Sequence, residues 1–464
     1  MNEDQFLLYD HQKPILLKAE KISFYLQGEI IEAFTENNEV YYLIFYKYQF
    51  LTAVKAIRLR RKSYIEDSFK KGMVFNAPHP FINGLLSSNA PLKIISFQPL
   101  IKKLDRLYTP QEKSFILTFF ESFFPKKQLF EQINSVFFEY RRNGQMFLGY
   151  RIIRILMDFA PKHSLVKQLA NDSMFNKYAD LYNQKSEKLF AKDLIFAEKT
   201  LYAQKDNEEC FQQLVALMEK ESRWIDLSSL LIYKLSQTPS IDYYQLLLDQ
   251  LEKHLSENET VQILEKLSND LPSFLPLQKE LFEKYVKNFK IEKVLNMMNS
   301  YHFQLNSSQV QALGDILDCV DSEGQSFQPE VLKDLLKSYI DFFPEKAEIL
   351  LNKYVISLLK THELDYIKEW LNPFMKNHQC LKIFEKIDTM KRLNEDLDQM
   401  QTLGELYVEF GQFEKAIECF SWEMELKPTN TKPLQWLSKI YREMGMNHEA
   451  DAFRELCIDI QKWA

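Results

Sequence analysis

Four cations in five residues, Arg58, Arg60, Arg61 and Lys62, are the densest cluster of chemistry-bearing side chains in this chain. They follow a run rich in tyrosine, a combination suited to phosphate contacts and base stacking. Residues 41–110 hold twelve Lys or Arg against three Asp or Glu, an excess of +9 in a protein of net charge −7. Residues 1–40 carry −5 and residues 111–464 carry −11. The expected use of the cluster is docking against an acidic strip of the same molecule; the alternatives are an anionic protein partner, or nucleic-acid or membrane phosphates. Strand alternation places Arg58 and Arg60 on one face, where cross-strand ion pairs are also open to them. A second pair of arginines, Arg151 and Arg154, lies on an otherwise apolar helical stretch. There Arg154 and Asp158 have the i, i+4 spacing of an ion pair within one helix.

Beyond these cations the chain carries no catalytic signature. It lacks GxxxxGK[ST], GxGxxG, HExxH and GxSxG. The eight histidines are scattered, and His362 and His448, each followed by glutamate, lack the i+4 histidine a zinc site needs. Cys210, Cys319, Cys380, Cys419 and Cys457 are odd in number and form no CxxC, which fits reduced apolar thiols better than disulfides or metal ligands. The expectation is a non-enzymatic protein with no cofactor and no metal.

Composition sets the scaffold. Of 464 residues 46% are apolar and 27% charged, enough for a substantial core. Glycine occurs only ten times, with none between Gly149 and Gly314. A stretch so poor in glycine is hard to build from tight β-turns and suits helices joined by short polar loops. The first residues, MNEDQFLLYDHQK, are acidic where a signal peptide is basic, and no apolar run reaches bilayer length. The expectation is a cytoplasmic protein with no membrane contact. Lysine outnumbers arginine 46 to 12, a bias suggesting an AT-rich, bacterial genome.

Residues 1 to about 110 read as a β-rich or α/β module. GEIIEAF, a polar turn at Thr35–Asn38 and EVYYLIFYKYQF form a hairpin whose second arm is apolar on both faces. LTAVKAIRLRR follows as a further strand. Pro78, Pro80, Pro91 and Pro99 then predict an extended connection over 76–110. From Pro110 helical periodicity takes over: SFILTFFESFF reads as a helix ended by Pro125. Between about 163 and 390 amphipathic segments such as EKLFAKDLIFAEKTLYAQ, WIDLSSLLIYKLSQ, IDYYQLLLDQLEKHL and PEVLKDLLKSYIDFFP recur.

Near the C-terminus a 34-residue echo appears: Leu403, Leu406, Tyr407, Gly411 and Ala416 recur as Leu437, Ile440, Tyr441, Gly445 and Ala450. The stretch LGELYVEFGQFEKAIECF...KP resembles a tetratricopeptide repeat, a helical hairpin that buries its apolar face by stacking on its neighbours. Tyr140, Gly144, Gly149, Ile153 and Pro161 keep the same spacing, giving a weaker match over 130–161. The resemblance implies that partner-facing residues lie on the first helix of each repeat: Gln401, Glu405, Val408 and Glu409, then Lys432, Gln435, Lys439 and Arg442. The family's clamp for a terminal carboxylate includes asparagines that are missing here. The cations of the second set can attract an acidic peptide or stand as a solvated face. Arg454 occupies an aromatic position of the repeat, as fits a terminal, capping unit.

Together these readings predict an α+β chain that is mainly α. A small N-terminal β-rich or α/β module (1–110) precedes irregular helical hairpins (111–390) and C-terminal repeats with a capping helix (391–464). The expected function is a protein–protein interaction scaffold or adaptor with a protein or peptide partner. The alternative is a regulatory receptor whose solenoid binds a peptide or effector while the N-terminal module, through Arg58, Arg60, Arg61 and Lys62, meets an anionic target such as nucleic acid. A third class, a repeat protein acting on response regulators, finds no supporting residue.

Overall fold

The structure is a computed structural model and describes residues 5–463, apart from 12, 56–57, 289, most of 302–342 and 376–380. The chain is α+β and mainly helical, with tetratricopeptide-like hairpins behind a small N-terminal sheet. It divides into two compact units, Met1–Leu281 and Phe282–Ala464. The expected boundary near residue 110 falls inside the first unit, and that near 390 inside the second.

The sheet of the first unit comprises β1 (Gln5–Asp10), β2 (Lys13–Tyr25), β3 (Gly28–Phe34), β4 (Val40–Tyr46), β5 (Gln49–Lys55), β6 (Met73–Asn76) and β7 (Leu92–Lys93). Its order is β5-β4-β3-β2-β1-β7, with β6 on the second half of β2. Only the β1–β7 pair is parallel. A register shift between Ala19 and Lys21 bends β2, so its first half pairs with β1 and its second with β3. The sheet curls until β5 meets the segment after β7: the Thr52 hydroxyl accepts from the Ile95 N–H at 2.9 Å and donates to the Ile95 carbonyl at 3.1 Å. Tyr41 to Tyr46 of β4 are all buried, as a strand covered on both sides requires.

The hairpin predicted at Thr35–Asn38 is present, with Asn38 at φ +59. Its second arm is not one strand. Lys47 and Tyr48 form a two-residue turn, with φ of +47 and +68, that splits the run into β4 and β5. Such turns need positive φ at both centres and usually announce themselves with Asn or Gly. This one is held from outside, as described below. LTAVKAIRLRR is strand only as far as Lys55, so Arg58 and Arg60 share no strand face.

The extended connection predicted over 76–110 is also corrected. Following α1 (Tyr64–Lys71), the segment holds helices α2 (Pro80–Ser88) and α3 (Phe97–Leu107). Pro80 occupies the first turn of α2, where a missing N–H costs nothing, and His79 caps it by accepting from the Phe81 N–H. The bonds Ala77–Pro78 and Ala90–Pro91 are cis. A capping box of Thr109 and Glu112 starts α4 (Pro110–Thr118). The chain then leaves the helix through tight turns before Pro125, short of the predicted helix end.

The remaining helices of this unit are α5 (Lys126–Arg142), α6 (Met146–Phe159), α7 (Ser164–Ala170), α8 (Asn176–Gln184), α9 (Glu187–Phe190), α10 (Leu194–Tyr202), α11 (Glu208–Lys220), α12 (Trp224–Gln237), α13 (Ile241–His254) and α14 (Glu257–Asp270). Asp193 interrupts the single helix expected over 187–204 and caps α10. WIDLSSLLIYKLSQ is α12 as predicted. PEVLKDLLKSYIDFFP falls largely outside the described residues. The chain continues through α15 (Leu275–Lys287) into the second unit, which holds α16 (Ile291–Tyr301), α17 (Ala347–Leu359), α18 (Leu364–Met375), α19 (Lys382–Asn394), α20 (Met400–Glu409), α21 (Phe413–Leu426), α22 (Lys432–Glu443) and α23 (Asn447–Trp463).

One turn geometry recurs through both units. Gly144, Gly411 and Gly445 have φ of +71, +64 and +80 and follow α5, α20 and α22. In each case the next N–H bonds the carbonyl five residues earlier: Gln145 to Tyr140, Gln412 to Tyr407 and Met446 to Tyr441, at 2.8–2.9 Å. This Schellman turn satisfies the last helical carbonyls and folds the next helix back. Ala416 and Ala450 are fully buried where the paired helices approach. The α11–α12 hairpin makes the same turn without glycine: Ser222 has φ +56 and Arg223 N–H bonds the Met218 carbonyl at 2.9 Å.

Candidate functional site

The predicted partner-facing residues gather on the first helices α20 and α22. Gln401 donates to Glu405 at 3.1 Å and accepts from the Asn430 amide at 3.0 Å, while the Trp436 indole donates to Glu405 at 3.2 Å. Glu409 is ion-paired to Lys386 of the preceding helix, and Val408 is half-buried. The first set is thus largely occupied in tying neighbouring helices together. The second set is freer. Lys432, Gln435 and Lys439 are exposed, with Lys439 lying 4.9 Å over the Trp436 ring. Among the described residues neither lysine has a carboxylate within ion-pair distance. Arg442 is exposed and stands 3.7 Å from Asp451.

The basic cluster lies in the coil and turn between β5 and α1. Arg58, Arg60, Arg61 and Lys62 are exposed, and among the described residues none has a carboxylate within ion-pair distance. What anchors the segment is backbone: Arg60 N–H donates to the Ser122 hydroxyl at 3.1 Å, and Lys62 N–H to the Glu66 carboxylate.

A second, unanticipated feature is a cleft of about 640 Å³ where α1, α4, α6, α8 and α10 converge, all within the first unit. Asp193 organises its floor. This carboxylate is buried and accepts from Gln111 at 2.8 Å, from the Tyr182 hydroxyl at 2.5 Å and from the Phe196 N–H at 3.1 Å. Arg151 Nε sits 3.7 Å from it, too far for a hydrogen bond, and is buried with no hydrogen-bond partner. Burial, then the Asp193 charge, push the Tyr182 hydroxyl well above its ordinary range. Arg154 does not pair with Asp158, as its spacing suggested. Asp158 is bound by Lys199, and the Arg154 guanidinium lies 5.4 and 5.3 Å from the Tyr182 and Phe196 ring centres. Two flat rings offer a guanidinium a better-matched surface than a solvated carboxylate at the helix rim.

Behind the cleft lies a buried polar junction. Arg223 donates to both Glu198 oxygens at 2.7 and 3.0 Å, to Asp226 at 2.9 Å and to the Leu26 carbonyl at 2.7 Å. The Tyr48 hydroxyl accepts from the Ile225 and Asp226 N–H groups at 2.9 and 3.0 Å, and Lys47 pairs with Glu221 at 2.9 Å. Glu29 is also buried here, accepting from Tyr48 N–H at 3.3 Å. Burial and then the Asp226 charge hold the Glu29 carboxyl well above the usual range, and burial raises Asp226 to about 6. One oxygen of each carboxyl, Glu29 Oε1 and Asp226 Oδ1, is buried without a hydrogen-bond partner. The α11–α12 turn thereby grips the β2–β3 turn at Leu26 and the β4–β5 turn at Lys47 and Tyr48.

Cys210, Cys419 and Cys457 are free, and burial pushes the Cys419 thiol up to about 11; Cys319 and Cys380 lie outside the described residues. Among the described residues no helix is long and apolar enough to cross a membrane.

No family model matches the chain, and no curated protein matches it. Solved structures resemble it at low identity. MamA is 13% identical, with 47% of this chain and 95% of that one covered, at a TM-score of 0.16. Naa15/Naa10 bound to HypK is 12% identical over 78% of this chain and 60% of that one, at 0.21. Cut9 in its complex with Hcn1 is 12% identical over 78% and 83%, at 0.17. At such scores the alignments carry no argument about function.

Proposed function

We propose that this chain is a non-enzymatic interaction scaffold whose C-terminal hairpins present a protein- or peptide-binding face on the first helices. The observation that carries this reading is the exposed face of α22, where Lys432 and Lys439 stand beside Trp436 without carboxylate partners among the described residues, while the adjoining α20 face is pre-organised by Gln401, Glu405 and Asn430. A rigid helix face with an aromatic ring and free cations suits an acidic, extended segment. The test is affinity capture with the full chain, followed by titration of the captured partner against wild type and the K432E/K439E double variant. A loss of about tenfold or more in affinity is expected, steeper at low salt. Undiminished binding by the double variant sinks the reading.

A second reading rests on the N-terminal module. Exposure of Arg58, Arg60, Arg61 and Lys62, which among the described residues have no carboxylate within ion-pair distance, supports contact with an anionic target. The net charge of −7 ranks a protein target above nucleic acid.

A further inference from the structure

We propose that the cleft floored by Asp193 is a binding site for a small organic phosphate, a phosphate ester on a flat apolar group. This inference stands apart from the scaffold reading, because the cleft lies in the first unit and the partner face in the second.

The charge arrangement carries the anion. Six cations line the cleft, and three are neutralised locally: Lys71 by Asp67 at 2.8 Å, Lys199 by Asp158, and Arg151 by Asp193 at 3.7 Å. Lys62, Arg154 and Lys185 remain, and among the described residues none of them has a carboxylate within ion-pair distance. They come from three separate elements: the loop before α1, helix α6, and the residue after α8, where Lys185 takes φ +46. Cations supplied by three separate elements suit the several oxygens of a phosphate dianion better than the single plane of a carboxylate.

Two further observations give the site its built character. Arg151 Nε is a buried donor with no acceptor, a group that costs free energy until something accepts from it. Arg154 is laid across Tyr182 and Phe196, so its guanidinium is held in place before any ligand arrives, and Tyr182 is fixed in turn by Asp193. A planar fork pre-ordered in this way loses little entropy on engaging an anion.

The organic part follows from size and lining. The cleft volume lies in the range of small-molecule pockets and far exceeds one phosphate. Tyr25, Tyr64, Phe115 and Phe159 supply aromatic walls beside the cations, a surface suited to stacking a ring. Thr118, Asn183 and Gln204 add neutral hydrogen-bonding groups for orientation.

The experiment is isothermal titration of the full chain at low ionic strength with phenyl phosphate and adenosine monophosphate, alongside phenol, adenosine and inorganic phosphate. Saturable one-to-one binding of at least one ester is expected, with its dephosphorylated analogue and inorganic phosphate each about tenfold weaker or more. Arg154→Gln should weaken the ester by about tenfold. Lys185→Gln, at an exposed position, should weaken it several-fold without moving the melting temperature, which separates binding from folding. The K432E/K439E variant should bind the ester as wild type does, so loss of the peptide-scaffold reading leaves this one intact and the reverse also holds. The proposal is overturned by absence of saturation at about 1 mM ester, by equal affinity for the dephosphorylated analogue or for inorganic phosphate, or by binding that neither substitution weakens.

Discussion

Arg223 donates from Nη2 to the carbonyl oxygen of Leu26 at 2.7 Å, joining two turns 197 residues apart in the chain. Both turns place a residue other than glycine in the left-handed region, Leu26 and Ser222 each at φ +56. The adjoining turn does so twice, at Lys47 and Tyr48. Left-handed backbone costs a residue with a side chain roughly 1–2 kcal/mol. The polar junction around Arg223 is therefore the fastening that keeps three strained turns in place and fixes the β-module against α10 to α12.

That role predicts the cost of losing it. Arg223→Ala leaves Glu198 and Asp226 buried without their cation and should destabilise the first unit by about 3–5 kcal/mol. Urea unfolding followed by intrinsic fluorescence measures it. A loss below about 1 kcal/mol would mean that the junction relaxes by admitting water.

Glu29 gives a prediction of opposite sign. Its carboxyl is raised by burial and by Asp226, so folding favours the protonated form. The associated stability is present at low pH and is lost as pH climbs above the ordinary carboxylate value of 4.5 through the raised one. Asp226 loses its share as pH climbs from its ordinary 3.8 through about 6. Glu29→Gln keeps an acceptor for Tyr48 N–H and removes the titration. Melting curves should show the variant gaining on wild type from pH 4 toward pH 8, since carboxylates not coupled to Glu29 cancel in the difference and Asp226, relieved of a neighbouring charge, moves the same way. A variant that melts lower than wild type at pH 8 contradicts this protonation state.

Much of this architecture was legible before the structure. Gly411 and Ala416, with their echo 34 residues on, mark the close of a first helix and a close approach of paired helices, and each does that work. The same spacing located the α5–α6 hairpin at Tyr140 and Gly144. Legibility failed where tertiary contacts replace local signals. Ser222 fills a glycine position because Arg223 is anchored next door, so no turn residue marks the hairpin. Lys47 and Tyr48 turn because Glu221 and the 225–226 amides hold them. The cleft was invisible for the same reason: Gln111, Tyr182 and Asp193 meet across 82 residues, and no spacing within one helix predicts that. Arg154 was noticed, but its partners are rings on other helices.

The turns themselves make a paired test. Gly411 has open space around its missing Cβ, so Gly411→Ala carries only the left-handed strain and should cost about 1 kcal/mol. Ser222→Gly relieves the same strain and should stabilise by up to about 1 kcal/mol. Thermal melting of both variants checks the symmetry. If Ser222→Gly destabilises, the hydroxyl rather than the backbone decides that turn.

Packing between paired helices gives a sharper contrast. Ala416 is fully buried, and Ala416→Leu should overpack the α20–α21 hairpin at about 1–3 kcal/mol. Gly404 tests the same interface from the facing helix: a Cβ there would stand 2.9 Å from the buried Phe420 ring, which stacks on Trp436 at 6.0 Å. Gly404→Ala should therefore destabilise despite its better helix propensity. Gly149 differs, since a Cβ would meet Phe137 at 3.6 Å, an ordinary contact, so Gly149→Ala should be neutral or stabilising.

The basic cluster yields the prediction that bears most directly on function. Arg58, Arg60 and Arg61 are exposed, and their backbone is held by Ser122 at Arg60 rather than by ion pairs. Reversing all three to glutamate should therefore change stability by no more than about 0.5 kcal/mol per site. Had they docked internally, the reversal would place like charges against an acidic strip and lower the melting temperature. With folding intact, the same variant becomes a clean probe of the receptor reading. Wild-type protein is titrated with duplex and single-stranded DNA from low to physiological salt. Binding that weakens steeply with salt and vanishes in the triple variant would assign these arginines to phosphates. The net charge of −7 leads us to expect no such binding, and an anionic protein surface as the target if the cluster has one.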